Sequence, residues 1–189
     1  MKSRFAMFVA GILVLVTVGG IEPAAAQENS STKPAAIGSR VRSMIELGSV
    51  YANIYDIAIT VVETVRGPEA LERLKAADPG NPAPRAGMEY LLARVKFEMK
   101  GRVVNDNLTF SVGKSPLEWV ALSEELSEYE PVQVKVPAPP LAGVVKSGGS
   151  TEGWVAFAVE AKDPKPVMVF DPDTGGATGR GRTLFFRLY

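Results

Sequence analysis

The ten residues Leu91-Leu92-Ala93-Arg94-Val95-Lys96-Phe97-Glu98-Met99-Lys100 decide how the rest of this chain is read. One parity places Leu91, Ala93, Val95, Phe97 and Met99 together, and the other carries Leu92, Arg94, Lys96, Glu98 and Lys100. Side chains alternate across a strand, so this pattern sets one face on a core and the other in water. Burying each large apolar side chain of that face contributes roughly 1.5–3 kcal/mol, which makes the strand central to stability.

Outward from it, the same grammar recurs. Residues 57–62 are β-branched and flanked by Tyr51 and Tyr55; Val132, Val134 and Val136 alternate with Gln133 and Lys135; residues 154–159 are apolar on both faces, as expected of a strand inside a sandwich. With 108–112, 117–122, 167–170 and 184–189 these make eight candidate strands. Polar turns separate them, among them 105–107, 113–116, 147–150 and 171–181. Residues 67–79 read instead as a helix, with Pro68 in the first turn, Glu69 four before Arg73 and Pro79 as a stop. Pro82 and Pro84 make 80–85 an extended loop, and Leu122, Leu126 and Tyr129 among Glu124, Glu125, Glu128 and Glu130 suit a short helix or an acidic loop. The expectation is an all-β chain, a sandwich or barrel of about eight strands with a short helical insertion.

Composition removes whole chemistries. The 189 residues include 21 Lys plus Arg, 21 Asp plus Glu, no His and no Cys. A Ser-His-Asp or Cys-His relay, a thiolate or imidazole metal site and a disulfide are therefore excluded. The zero formal net charge argues against a nucleic-acid partner. At the N-terminus Lys2 and Arg4 precede an apolar run over 5–18, and Ala24-Ala25-Ala26 precedes the polar Gln27. This is the layout of a secretory signal peptide cleaved after Ala26, leaving no transmembrane span and a secreted or periplasmic chain. An uncleaved N-terminal anchor is the alternative, although the run is short for the ~20 residues a bilayer needs. The domain expectation is 1–26 signal peptide, 27–47 polar linker and lead-in, and 48–189 sandwich.

Gly87-Met88-Glu89-Tyr90-Leu91 leading into the alternating strand, then Gly153-Trp154-Val155-Ala156-Phe157-Ala158-Val159 and Pro166-Val167-Met168-Val169-Phe170, resembles a family of bacterial exported immunoglobulin-like domains. That family is mainly of unknown function and is related to a secreted mycobacterial immunoprotective antigen. The resemblance covers roughly residues 50–189 and rests on fold positions. Many members carry an Asn soon after the alternating strand, where this chain has Glu98-Met99-Lys100-Gly101. The resemblance implies an immunoglobulin-like β-sandwich outside the cytoplasm and brings no active site with it.

Candidate sites compete with plainer readings. Asp173-Thr174-Gly175 matches the aspartic-protease triplet, but one copy with so short a remainder reads as a hairpin turn. Asp171 and Asp173, two apart before a Gly bend, have hard-cation spacing and form a possible Ca²⁺ site, though a third acidic ligand and a later bidentate Glu are missing. The glycines over 175–181 lack the Gly-Lys-Ser/Thr ending and the following helix of a phosphate loop, yet Arg180 and Arg182 are placed to contact an anionic surface. The glutamates between Glu124 and Glu130 suit a solvated face or a basic partner. Trp154 is expected in the core, and Trp119 is the more exposed tryptophan, suited to stacking on a sugar ring. The function expected is an exported non-enzymatic binding or interaction domain with a protein or cell-envelope ligand and no resident cofactor. The alternatives are a calcium-dependent surface-binding module, a carboxylate-based hydrolase and a small outer-membrane barrel.

Overall fold

The computed structural model describes residues 29–47, 53–103, 109–112, 119–172 and 179–189. The elements follow the order β1 (Arg40–Leu47), β2 (Asn53–Arg66), α1 (Pro68–Ala77), β3 (Met88–Gly101), β4 (Thr109–Val112), β5 (Trp119–Leu122), β6 (Gly143–Lys146), β7 (Ser150–Glu160), β8 (Val167–Phe170), β9 (Gly179–Gly181) and β10 (Leu184–Arg187). The chain is mostly β, with antiparallel sheets and one short helix. A five-stranded sheet runs β7-β3-β2-β1-β9, a three-stranded sheet β10-β8-β5, and β4 pairs with β6.

The quoted strand forms the middle of β3, and its parity is as read. Leu91, Ala93, Val95, Phe97 and Met99 are buried in a core shared with β5, β8 and β10 and with Phe110 and Val145 of the small sheet. Aromatic rings gather on Phe97: Phe110 stacks on it at 5.2 Å, Phe170 lies at 6.0 Å, and Trp119 meets it edge-on at 6.5 Å. Such pairs add about 0.5–1.5 kcal/mol beyond area burial.

The opposite face of the large sheet is covered at one end only. Val65, Tyr90, Leu92 and Trp154 form a second core with Ala70 and Leu74 of α1. Pro68 opens that helix and Arg73 bonds Glu69 at 2.7 Å, as the sequence spacing requires. Val65 reaches this face through a β-bulge. Val61 pairs with Val95 and Glu63 with Arg94, so Val62 is an extra residue. The insertion reverses the parity of β2, and Val65 meets Leu92 on the outer face instead of following Ile57, Ile59 and Val61 inward.

Two expectations are corrected. Within the stretch read as a polar linker and lead-in, Arg40–Leu47 is β1, built into the large sheet, with Val41 and Ile45 buried between exposed Arg40, Arg42, Met44 and Glu46. The Arg and Glu content hides that alternation when the segment is averaged. Residues 132–136 are extended and alternately buried but pair with no strand; instead Asn81 bonds both the N–H and the C=O of Lys135, each at 2.8 Å. Of the two readings of the acidic stretch, short helix or loop, the structure has the loop: Leu122 ends β5 and residues 123–130 follow without a helix. The structure also adds β6 and β9, which contain too few apolar residues to be seen by periodicity.

Free edges are closed by single segments. Asn29, nearly fully buried, accepts from Phe185 N–H at 2.8 Å and donates to Phe185 C=O at 2.7 Å, while Ala35 accepts from Arg187 N–H and donates to Phe185 C=O. On β7, residues 139–141 run alongside Trp154, with Leu141 N–H bonding its carbonyl at 2.8 Å and Trp154 N–H bonding the Pro139 carbonyl at 2.9 Å. Gly153 permits this approach, because a Cβ there would overlap the Pro140 carbonyl and the Leu141 nitrogen. We expect Gly153→Ala to lower the melting temperature by several degrees through this backbone clash, about 1–3 kcal/mol. Thermal melting of the variant checks it, and an unchanged melting temperature would show that the 139–141 segment is not held there.

Candidate functional site

The outer face of the large sheet loses its apolar cover beyond Arg94, and there the pleat sets out a grid of long charged side chains around one small one. Antiparallel register lines up Arg40, Thr60 and Lys96 in one row, Arg42, Ala58 and Glu98 in the next, and Met44, Asp56 and Lys100 in a third. Ala58 is buried at the centre, and its methyl group leaves a cleft of about 630 Å³ lined by the surrounding charges and by Gly148, Gly149 and Ser150. Gly148 has φ 81°, a left-handed conformation that suits glycine, and its N–H bonds the Met99 carbonyl at 2.8 Å. The turn between β6 and β7 is thereby tied to the wall of the cleft.

The charges divide into spent and unspent. Arg40 Nε lies 2.8 Å from Glu98 and Arg102 2.6 Å from Asp56. Hydrogen bonding from Arg102 holds the Asp56 carboxyl below its ordinary range, and hydrogen bonding from Arg40 does the same for Glu98. Arg42 and Lys100 line the same cleft without a carboxylate in ion-pair distance among the described residues. They stand on β1 and β3 with β2 between them. Two strand spacings across and two residues along separate their backbones by about 12 Å, a span both long side chains can close on one anion above Ala58. Arginine supplies a planar fork and lysine a point charge, a pairing suited to carboxylate or phosphate oxygens.

The residues singled out from the sequence are not brought together. Trp119 is corrected from exposed to buried: it is 5% exposed, 4.8 Å from Phe170, and its indole nitrogen has no hydrogen-bond partner among the described residues. It starts a strand whose alternate residues, Trp119 and Ala121, enter the core, so its ring cannot stack on a sugar. Trp154 is buried as expected, with the Arg73 guanidinium 5.5 Å from its ring centre. Asp171 is half-buried and accepts a long hydrogen bond from Thr183 Oγ1 at 3.4 Å; Asp173 lies outside the described residues. Arg180 is exposed on β9 opposite Glu46, and Arg182 donates to the Asn29 carbonyl. Arg182 thus helps fasten the N-terminal segment. Among the glutamates, Glu124 pairs with Lys165 and Glu130 with Arg85, both at 2.9 Å. Among the described residues no three acidic side chains gather in a metal-holding group, and no helix is long and apolar enough to cross a membrane.

Sequence reasoning missed the cleft because its floor and walls come from three separate strands and a turn. The available signal was Arg40-Val41-Arg42, whose parity is that of a strand with basic residues on one side. In comparison with known proteins, no family model matches the chain, and no curated protein or solved structure matches it.

The two depressed carboxyls give a signed pH dependence. A carboxyl whose folded pKa is lowered stabilises the fold above its unfolded value and loses that contribution as pH falls through the folded one. We expect thermal stability to hold from neutral pH to about pH 5 and to fall below about pH 4. In an Asp56→Asn, Glu98→Gln double variant the acid-side slope should be shallower. Melting curves across pH 2.5–7 at fixed salt measure both, and identical slopes would remove these pairs as the cause.

Proposed function

We propose that this chain is an exported, non-enzymatic binding domain of immunoglobulin-like sandwich architecture, and that the cleft over Ala58 takes an anionic group of its ligand. The observation that carries the reading is the pair of cations Arg42 and Lys100, neither with a carboxylate in ion-pair distance among the described residues, held around a small buried floor. The ligand class is a carboxylate- or phosphate-bearing molecule of the cell envelope or its surroundings. Nucleic acid is disfavoured as the partner because the chain as a whole has no excess of positive charge.

Several features support the separate parts. Two sheets joined through the Phe97 aromatic cluster support a sandwich. Its connectivity departs from the constant-type immunoglobulin order, in which the third strand lies in the second sheet, because β1, β2 and β3 are neighbours in one sheet. The non-enzymatic reading is supported by the missing His and Cys and by Asp56 and Glu98, which are held ionised when a hydrolase needs a carboxyl kept protonated as acid. Export is supported by the sequence of residues 1–26, which lie outside the described residues, and by the docking of Asn29. Cleavage after Ala26 leaves that anchor intact.

Two measurements test the proposal. In thermal-shift titrations with inorganic phosphate and with citrate, each against chloride at equal ionic strength, we expect one or both to raise the melting temperature by roughly 5–10 °C near saturation. The Arg42→Ala, Lys100→Ala double variant and the cleft-filling Ala58→Leu variant should each lose that rise. An equal rise in the variants would place the anion elsewhere, and none in the parent would sink the anion reading. Separately, intact-mass analysis of protein secreted by a bacterial host should give a mature N-terminus at Gln27; a full-length chain retained with membranes would overturn the export assignment.

A further inference from the structure

A second concavity, of about 620 Å³, lies at the opposite end of β3. Its floor is Met88, Tyr90 and Ala158 on the outer face of the large sheet. One wall is the proline-containing loop 82–86 and the other the segment 128–134. Tyr90 and Lys100 are ten residues apart on one strand, so this groove and the anion cleft are separated by about 30 Å and stand or fall independently.

Two independent observations identify what the groove takes. First, the segment along it is a strand without a partner. Val132 and Val134 rest half-buried on the second core while Gln133 points away. The main chain is tied at Tyr129, whose N–H bonds the Ala121 carbonyl at 2.9 Å, and at Lys135 by Asn81. Between these points the N–H and C=O groups of Val132, Gln133 and Val134 have no hydrogen-bond partner among the described residues. An extended backbone with open donors and acceptors beside an apolar floor is a template for strand addition. Second, the rim is acidic. Glu128, Glu130 and Glu160 line the groove; Glu130 is paired with Arg85 at 2.9 Å and Glu160 with Lys162 at 3.3 Å, which leaves Glu128 as the unspent charge of the rim. Glu128 has no ion-pair partner among the described residues.

We propose that this groove receives an extended peptide segment of a protein partner, paired through the main chain of Gln133, whose N–H and C=O share the strand edge of Lys135 that Asn81 holds, with apolar side chains on Met88, Tyr90 and Ala158 and basic side chains toward Glu128. Main-chain bonds supply affinity in such additions, and alternate side chains supply selectivity. The tyrosine that anchors the wall is itself fixed, since Tyr129 Oη donates to the buried Asp163 at 2.7 Å.

The test uses the mature chain and capped hexapeptides. The probe alternates lysine and valine; one control alternates glutamate and valine, and another is the lysine peptide with alternate backbone nitrogens methylated. Amide chemical shifts are followed by NMR during titration. We expect the lysine peptide to perturb the amides of Val132, Gln133 and Val134, the glutamate peptide to bind at least roughly fivefold more weakly, and Glu128→Lys to weaken the lysine peptide by a similar factor. N-methylation should abolish binding. Three results would overturn the proposal: no perturbation of those amides at millimolar peptide, equal binding of the methylated peptide, or equal binding of the glutamate peptide. Concentration-dependent protection of the same amides without peptide would make the occupant a second copy of this chain and overturn the peptide assignment as well.

Discussion

The pleat of β3 is the constraint on which the rest of the molecule depends. A strand cannot change which residues face which side without a bulge, yet β3 runs through two environments. Its odd-numbered residues 91–99 stay in the main core along their length, while its even-numbered residues pass from apolar cover at Tyr90 and Leu92 to charge at Arg94, Lys96, Glu98 and Lys100. The neighbours must follow. β7 brings Trp154, Ala156 and Ala158 to the covered end and Ser150 and Glu152 to the charged end. β2 needs the extra residue Val62 to bring Val65 under α1. Were Val62 instead paired in regular register, Val65 would turn inward and Glu63 toward the core.

Closing the sheets is left to short polar and proline-containing segments. An asparagine side chain carries an amide donor and acceptor on one plane, the same pair a backbone presents. Asn29 uses both on Phe185, and Asn81 uses both on Lys135. Each stands in for one residue of a missing strand and leaves no room for edge pairing at that position. Residues 139–141 do the same for β7 at Trp154, where Gly153 removes the side chain that would obstruct them. Segment 132–134 is the extended stretch beside the large sheet that is treated otherwise, and its open backbone faces a groove.

Cover and charge also explain why the two concavities have opposite linings. Where α1 and segment 132–136 shield the outer face, the surface is apolar with acidic residues on the rim. Where that shield ends, arginine and lysine side chains stand over a small floor. The ion pairs at this end are largely solvent-exposed and contribute little to stability. Their effect is to hold Arg40, Asp56 and Glu98 in place as walls of the cleft, beside Arg42 and Lys100.

The period of apolar residues by itself determined the parity of β3, the helix between Pro68 and Ala77, β8 and the two-sided burial of β7, because those features depend on spacing within one segment. It also contained β1, as Val41 and Ile45 spaced by Ser43, though under charges that made the segment look like a linker. What the tertiary structure alone decided are the features that need a partner. Residues 132–136 carry a strand's alternation, yet they pair with no strand among the described residues, and at Lys135 a side-chain amide takes that place. Trp119 is followed by only three strand residues, and it is buried because Phe97 and Phe170 from other strands surround it. The cleft over Ala58 exists because register aligns Arg42, Ala58 and Glu98 across three strands. Register is set by where turns and a bulge fall, and a shift of one residue would send Ala58 inward and close the cleft.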